Sequence, residues 1–138
     1  MSREFVADSS IALGWVHPSQ ATELTRTLLD EVQGGATIHV PSLWAIEVAN
    51  ALLAAVRRKL MTDSQRRAAI NLLFRTGAKV DSDTADLAWT AISDLAIKYG
   101  LSVYDASYLE LAVRKTLPLA SRDEPLRAAA RKCGVKLM

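Results

Sequence analysis

Four acidic residues stand where a short apolar run ends or where a helix has no evident use for charge. Asp8 follows Phe5-Val6-Ala7, Asp105 follows Leu101-Ser102-Val103-Tyr104, and Asp123 follows Leu119-Ala120-Ser121-Arg122, each directly ahead of a stretch with helical spacing. In an open parallel sheet the ligand site lies beyond the carboxyl ends of the strands, so aspartates at these positions share one rim. Aspartate is also a favoured helix N-cap, and capping accounts for each of the three taken singly. It does not account for Glu47, inside Trp44-Ala45-Ile46-Glu47-Val48-Ala49-Asn50-Ala51-Leu52-Leu53, a run apolar almost all round that reads as a buried helix. A carboxylate there needs a partner, either an arginine or lysine from elsewhere or a metal ion. If the four converge at about 5 Å, each pair repels by about 3 kcal/mol at an effective dielectric of about 20, and a cation must compensate. Hard oxygen donors without a His or Cys ligand favour Mg2+ or Mn2+ over zinc.

The elements that must position these acids are legible from apolar spacing. Strands are expected at Glu4 to Ala7, Thr37 to Val40, Ala78 to Val80, Leu101 to Val103, Pro118 to Ala120 and Val135 to Leu137. Helices are expected near 9–16, 19–33, 43–59, 63–75, 83–99, 105–116 and 124–133, with Thr62-x-x-Gln65 as a capping box. Gly34, Gly35, Gly77, Gly100 and Gly134 each follow a helical stretch, where a residue tolerant of positive φ stops a helix. Strand and helix alternate throughout, which implies a mainly parallel sheet covered on both faces: an α/β fold, a three-layer α/β/α sandwich. No linker, repeat or low-complexity tract divides it, so residues 1–138 are expected to form one domain.

Composition narrows the function. The 138 residues are half apolar and carry 17 Lys plus Arg against 15 Asp plus Glu, a net +2 that permits contact with nucleic acid without demanding it. The single cysteine, Cys133, forms no intrachain disulfide and fits a reducing cytoplasm. The opening Met1-Ser2-Arg3-Glu4-Phe5-Val6-Ala7-Asp8 meets charge too early for a signal peptide, and Leu43 to Val56, broken by Glu47 and Asn50, is short of the roughly 18 uninterrupted apolar residues of a membrane span. No G-x-x-x-x-G-K-[ST] or G-x-G-x-x-G phosphate loop occurs.

The acids and their contexts, Val6-Ala7-Asp8-Ser9-Ser10, Trp44 to Leu52, Tyr104-Asp105-Ala106-Ser107-Tyr108-Leu109-Glu110-Leu111-Ala112 and Leu119-Ala120-Ser121-Arg122-Asp123, together resemble the PIN-domain ribonucleases. The likeness is to the VapC toxins of bacterial type II toxin-antitoxin pairs and runs over essentially the whole chain. The resemblance implies that Asp8, Glu47, Asp105 and Asp123 are the metal-binding acids and that Ser9 and Ser121 support them. It also implies Mg2+- or Mn2+-dependent endonucleolytic cleavage of RNA, of the tRNA or rRNA class. A cognate VapB-type antitoxin and a homodimer are the expected partners, with no membrane. Two rival readings remain at this stage, a PIN-like binding module without catalysis and a receiver-like phosphoacceptor domain. The second expects paired acids after the first strand and a Lys-Pro after the last, where this chain has Asp8-Ser9-Ser10 and Ser121-Arg122-Asp123.

Other residues have plainer readings beside the functional ones. Arg122, next to Asp123, is a candidate RNA-phosphate ligand or a solvated rim arginine. Glu110 and Arg114, spaced i,i+4, read as a modest surface pair outside the site. His17, His39 and Cys133 lack any ligand or nucleophile pattern. Ile11 to Val16 with Leu24, Leu28, Leu29 and Val32 read as core, to which the resemblance adds a groove for an antitoxin segment.

Overall fold

Short apolar runs joined by helix-length segments cannot pair as hairpins, so they pair side by side in parallel. The computed structural model describes residues 3–138; Met1 and Ser2, which open the segment read above for a leader, lie outside the described residues. Strands β1 (Glu4–Ala7), β2 (Thr37–Val40), β3 (Lys79–Val80) and β4 (Leu119–Ala120) lie in the order β3-β2-β1-β4, with every neighbour parallel. Phe5 stands opposite Ile38, and Ala7 opposite Ala120.

Right-handed crossovers then dictate the layers. The steps from β1 to β2 and from β2 to β3 run the same way and place their helices on one face: α1 (Ser9–Val16), α2 (Glu23–Gln33), α3 (Trp44–Arg57) and α4 (Asp63–Arg75). The return from β3 to β4 covers the other face with α5 (Thr84–Leu87), α6 (Ser93–Tyr99) and α7 (Val103–Lys115), and α8 (Glu124–Lys132) follows β4. This is the three-layer α/β/α arrangement that the alternation predicts. Phe5, Val6, Ile38 and Leu119 from the sheet meet Ile11, Leu28 and Leu52 from the first layer and Tyr108, Leu109 and Leu126 from the second in one buried cluster.

Several elements differ from expectation, for local reasons. Leu101 to Val103 is not a strand: Gly100, at φ 65°, ends α6 in the left-handed region, and Ser102 immediately caps α7 by accepting from Asp105 N. Asp105 is therefore the third residue of a helix and not a cap at a strand's end. Val135 to Leu137 contributes a single parallel bridge, Leu137 to Leu119. The expected helix at 19–33 is split, because Pro18–Gln20 closes as a 3-10 turn and Thr22 starts α2 with its own capping box. The helix at 83–99 runs through a π-helical turn at Ala88–Ile92, where Ser93 Oγ donates to Ala88 O at 2.5 Å. The Thr62–Gln65 capping box forms as expected.

Helix α3 is not buried all round. Trp44, Val48, Leu52 and Ala55 face the core while Ile46 on the opposite side is 74% exposed, so the run is apolar on a surface the chain leaves uncovered. The apolar residues of α1 and α2 mostly enter the core, and the two helices approach so closely at Gly14 that a Cβ there would run into the Thr25 side chain. Among the described residues no helix is long and apolar enough to cross a membrane.

Candidate active site

Asp8 leaves β1 at its carboxyl end and caps α1, so its carboxylate is fixed by backbone geometry before any tertiary contact forms. Oδ1 accepts from Ser10 Oγ at 2.5 Å and from Ile11 N at 3.3 Å, and Oδ2 accepts from Ser121 Oγ. With a residual exposure of 3%, burial pushes the Asp8 carboxyl above the usual carboxylate range. The three donors oppose that rise, and the facing Asp105 charge adds to it.

Asp123 reaches the same rim from the end of β4, as the N-cap of α8, with Oδ2 accepting from Leu126 N at 3.0 Å. Its main-chain N donates to Ser121 Oγ at 2.9 Å. The fully buried Ser121 hydroxyl thus joins Asp8 to the loop carrying Asp123. Asp105 enters from the first turn of α7, its carboxyl raised by burial and then by the Asp123 charge. Glu47 enters from the first turn of α3 with Oε1 accepting from the Tyr108 hydroxyl at 2.5 Å. Burial raises the Glu47 carboxyl, the Tyr108 bond opposes the rise, and the Asp105 and Asp8 charges reinforce it.

The structure therefore brings the four acids to one rim as mutually repelling charges. The cation that ordinarily neutralises a half-buried carboxylate is missing: among the described residues no ion pair involves Asp8, Glu47, Asp105 or Asp123. Nor, among the described residues, are three or more His, Cys, Asp or Glu side chains already arranged to hold a metal ion. The carboxylates are turned toward serine, tyrosine and helix N–H donors instead. The donor set still fits a hard divalent ion, because it is all oxygen and its repulsion is relieved by added positive charge.

Arg122 departs from its sequence reading as a phosphate ligand. Nε and Nη2 donate to Ser10 O at 3.0 and 2.7 Å, and Nη1 and Nη2 donate to Gln20 O and Gln20 Oε1 at 3.1 and 2.8 Å. Four of the five donors of a guanidinium are thus committed inside the chain, and the side chain straps the β4–α8 loop to the start of α1. Two residues that sequence reasoning passed over belong to the site: Ser10, which donates to Asp8 and accepts from Arg122 N at 2.9 Å, and Tyr108. Their signals were positional, since Ser10 lies two residues after a capping aspartate and Tyr108 lies i+3 from Asp105 on one helical face. Ser9, the expected supporting hydroxyl, faces the Tyr108 hydroxyl. Neither histidine joins the rim: His39 Nε2 is 2.8 Å from Glu4 Oε1, and His17 Nδ1 is 2.8 Å from Ser19 Oγ.

Comparison with known proteins converges on the same ground. The PIN domain family model matches residues 5–132. Ribonuclease VapC3 of Pyrobaculum aerophilum is 30% identical over 125 residues, spanning 89% of this chain and 92% of that protein. Among solved structures, PAE2754 from Pyrobaculum aerophilum superposes with a TM-score of 0.66 at 22% identity, covering 94% of this chain and 86% of that one. VapBC2 from Rickettsia felis, bound to a DNA fragment from its promoter, gives 0.66 at 12% identity with 98% and 97% covered. FitAcB from Neisseria gonorrhoeae gives 0.61 at 15% identity with 97% and 96% covered. These superpositions carry the fold, the family model and the VapC relative carry the lineage, and the chain belongs to the PIN-domain family, among its VapC-type members.

Proposed function

We propose that this chain is a Mg2+-dependent endoribonuclease toxin, with Mn2+ able to substitute, that cleaves cellular RNA of the tRNA or rRNA class. The observation that carries the proposal is the rim itself: Asp8, Glu47 and Asp105 are brought together and held above their ordinary pKa by burial and mutual charge, with no ion pair to any of them among the described residues. Relatedness to a protein named as a ribonuclease supports the RNA assignment. Residues 1–138 act as one PIN-like unit in the reducing cytoplasm. The structural likeness to VapBC2 and FitAcB supports a cognate VapB-type antitoxin, and the homodimer follows from the family resemblance.

Asp8, Glu47, Asp105 and Asp123 would hold the divalent ion, and the chemistry such an ion supplies is neutralisation of phosphate charge and acidification of water. Ser10 and Ser121 fix Asp8 from both of its oxygens, so its carboxylate enters binding already oriented. Arg122 and Ser121 lock the two loops bearing Asp8 and Asp123 to each other, which keeps substrate phosphate and attacking water in register. Asp123 Oδ2 is engaged in capping, and the Ser102 hydroxyl beside the Asp105 carboxylate favours its charged form against burial and the Asp123 charge. Asp105 and Asp123 are the two acids placed to accept the proton of the attacking water. A phosphoacceptor role for Asp8 fits poorly, since both its oxygens are bonded and it is almost fully buried.

The test is incubation of the purified chain with labelled total tRNA and rRNA, with Mg2+ or Mn2+, with EDTA, and beside Asp8→Asn prepared identically. Discrete cuts that need metal and fall by at least 100-fold in Asp8→Asn are expected, a loss typical of removing one electrostatic element of an active site. Equal cutting by both proteins would reject the assignment of Asp8. Saturable Mn2+ binding without cleavage of either RNA class would turn the reading to a non-catalytic binding module.

A further inference from the structure

Glu47, like Asp105, neither caps a helix nor follows a strand, and nothing on its own helix holds its carboxylate. Among the described residues its single side-chain hydrogen bond comes from Tyr108, 61 positions away, whose hydroxyl donates to Oε1 at 2.5 Å. Tyr108 is 1% exposed, and its ring belongs to the main core with Phe5, Leu109 and Leu119. The position of that hydroxyl is therefore set by core packing and is rigid on the scale of a side-chain rotamer. Packing alone asks only for a ring. A buried hydroxyl is costly unless bonded, so phenylalanine would suit this place better if the oxygen had no use.

Tyr108 also lies three residues after Asp105, on the helix that packs against β1. One helix thus presents Asp105 directly and controls Glu47 across the gap to α3. With Oε1 occupied by a neutral donor, Oε2 is the oxygen left free, and the glutamate loses the rotational freedom that would otherwise be lost on binding an ion.

We propose that Tyr108 is a positioning residue of the acidic rim: its core-anchored hydroxyl fixes Glu47 through Oε1 and leaves Oε2 to face a divalent cation. The assignment rests on the reading of the rim as a cation site. Its test is Tyr108→Phe, which removes one oxygen and keeps the ring, with Mn2+ affinity measured in RNA-free protein by the electron paramagnetic resonance signal of unbound Mn2+. Affinity is expected to fall about tenfold, the low end for loss of a group that orients a ligand. In a Glu47→Ala background the same substitution should leave Mn2+ affinity unchanged, because the hydroxyl then has no carboxylate to hold. In RNA cleavage, kcat should fall with Tyr108→Phe while KM for RNA stays near wild type. An equal loss of Mn2+ affinity in both backgrounds would assign Tyr108 to general packing and overturn the proposal. So would unchanged affinity in Tyr108→Phe beside a clear loss in Asp8→Asn, which leaves the cation reading standing. Absence of saturable Mn2+ binding to the wild-type chain would overturn both.

Discussion

Two groups of carboxylates are carried out of water in this molecule, and the chain treats them in opposite ways. Beyond the end of β3, Asp81 and Glu110 have side chains only 5% and 7% exposed, and Arg114 is driven between them. Its Nη1 and Nη2 grip Asp81 at 3.2 and 2.7 Å, while Nε and Nη2 grip Glu110 at 2.8 and 3.1 Å. Burial works to raise the Asp81 carboxyl, but the bonds from Arg114 and Thr84 outweigh it and leave it below the usual range. On the rim, burial meets no such cation among the described residues, and the carboxyls of Asp8, Glu47 and Asp105 stay raised. An acid cluster that serves the fold brings its own arginine; one that awaits a ligand is left with unrelieved repulsion.

The comparison breaks most visibly at Arg114. Arg114→Met keeps the aliphatic stem but strands two carboxylates in a dry place, and should destabilise the protein by about 3 kcal/mol, in the range for breaking a buried pair. Urea unfolding measures it, and a loss below about 1 kcal/mol would mean the network behaves as a surface pair. Arg122→Met removes a half-buried cation that holds neutral carbonyls instead of acids. It should cost about 1.5 kcal/mol, the value of a few hydrogen bonds to uncharged acceptors. If its cost equalled that of Arg114→Met, charge would not be what separates the two regions.

The same contrast explains what the sequence revealed. The rim was legible because three of its acids follow apolar runs and a fourth interrupts one, and such local signals survive in a linear reading. The parallel sheet was legible for the same reason, through alternating short runs and helix-length crossovers. Glu110 with Arg114 was visible as an i,i+4 pair but not as a buried one, because Asp81 joins it only when β3 and α7 are brought together across 33 positions. Arg122 was misplaced by proximity: its neighbour Asp123 lies on the rim, while its guanidinium turns to the main chain of Ser10 and Gln20. Tyr108 was hidden because a buried aromatic in a helix reads as core, which it is, and only the third dimension shows what its oxygen meets. The absent strand before α7 came from reading Leu101 to Val103 as an apolar run after the stop at Gly100, without weighing Ser102 as the cap of the next helix.

The smallest effect is the most discriminating, because its sign is opposite to ordinary expectation. Asp105→Asn should stabilise the metal-free protein at neutral pH by about 1 kcal/mol, since it deletes a charge that burial and Asp123 already disfavour. The sign follows from linkage: a carboxyl whose folded pKa lies above its unfolded value binds more protons when folded, so its contribution improves as pH falls through the folded value. The advantage of Asp105→Asn over wild type should therefore shrink on acidification and vanish below the ordinary carboxylate range. Asp81→Asn should do the reverse in one respect: it loses stability at neutral pH, and that loss fades only as pH falls below the unfolded value and through the depressed folded pKa of Asp81. Thermal unfolding in EDTA from neutral to acid pH would read both, and Mn2+ titration should show weaker binding for Asp105→Asn alone. A neutral-pH destabilisation by Asp105→Asn would mean that its carboxylate is held by favourable bonds, and the rim would then be a structural cluster of the same kind as the one around Arg114.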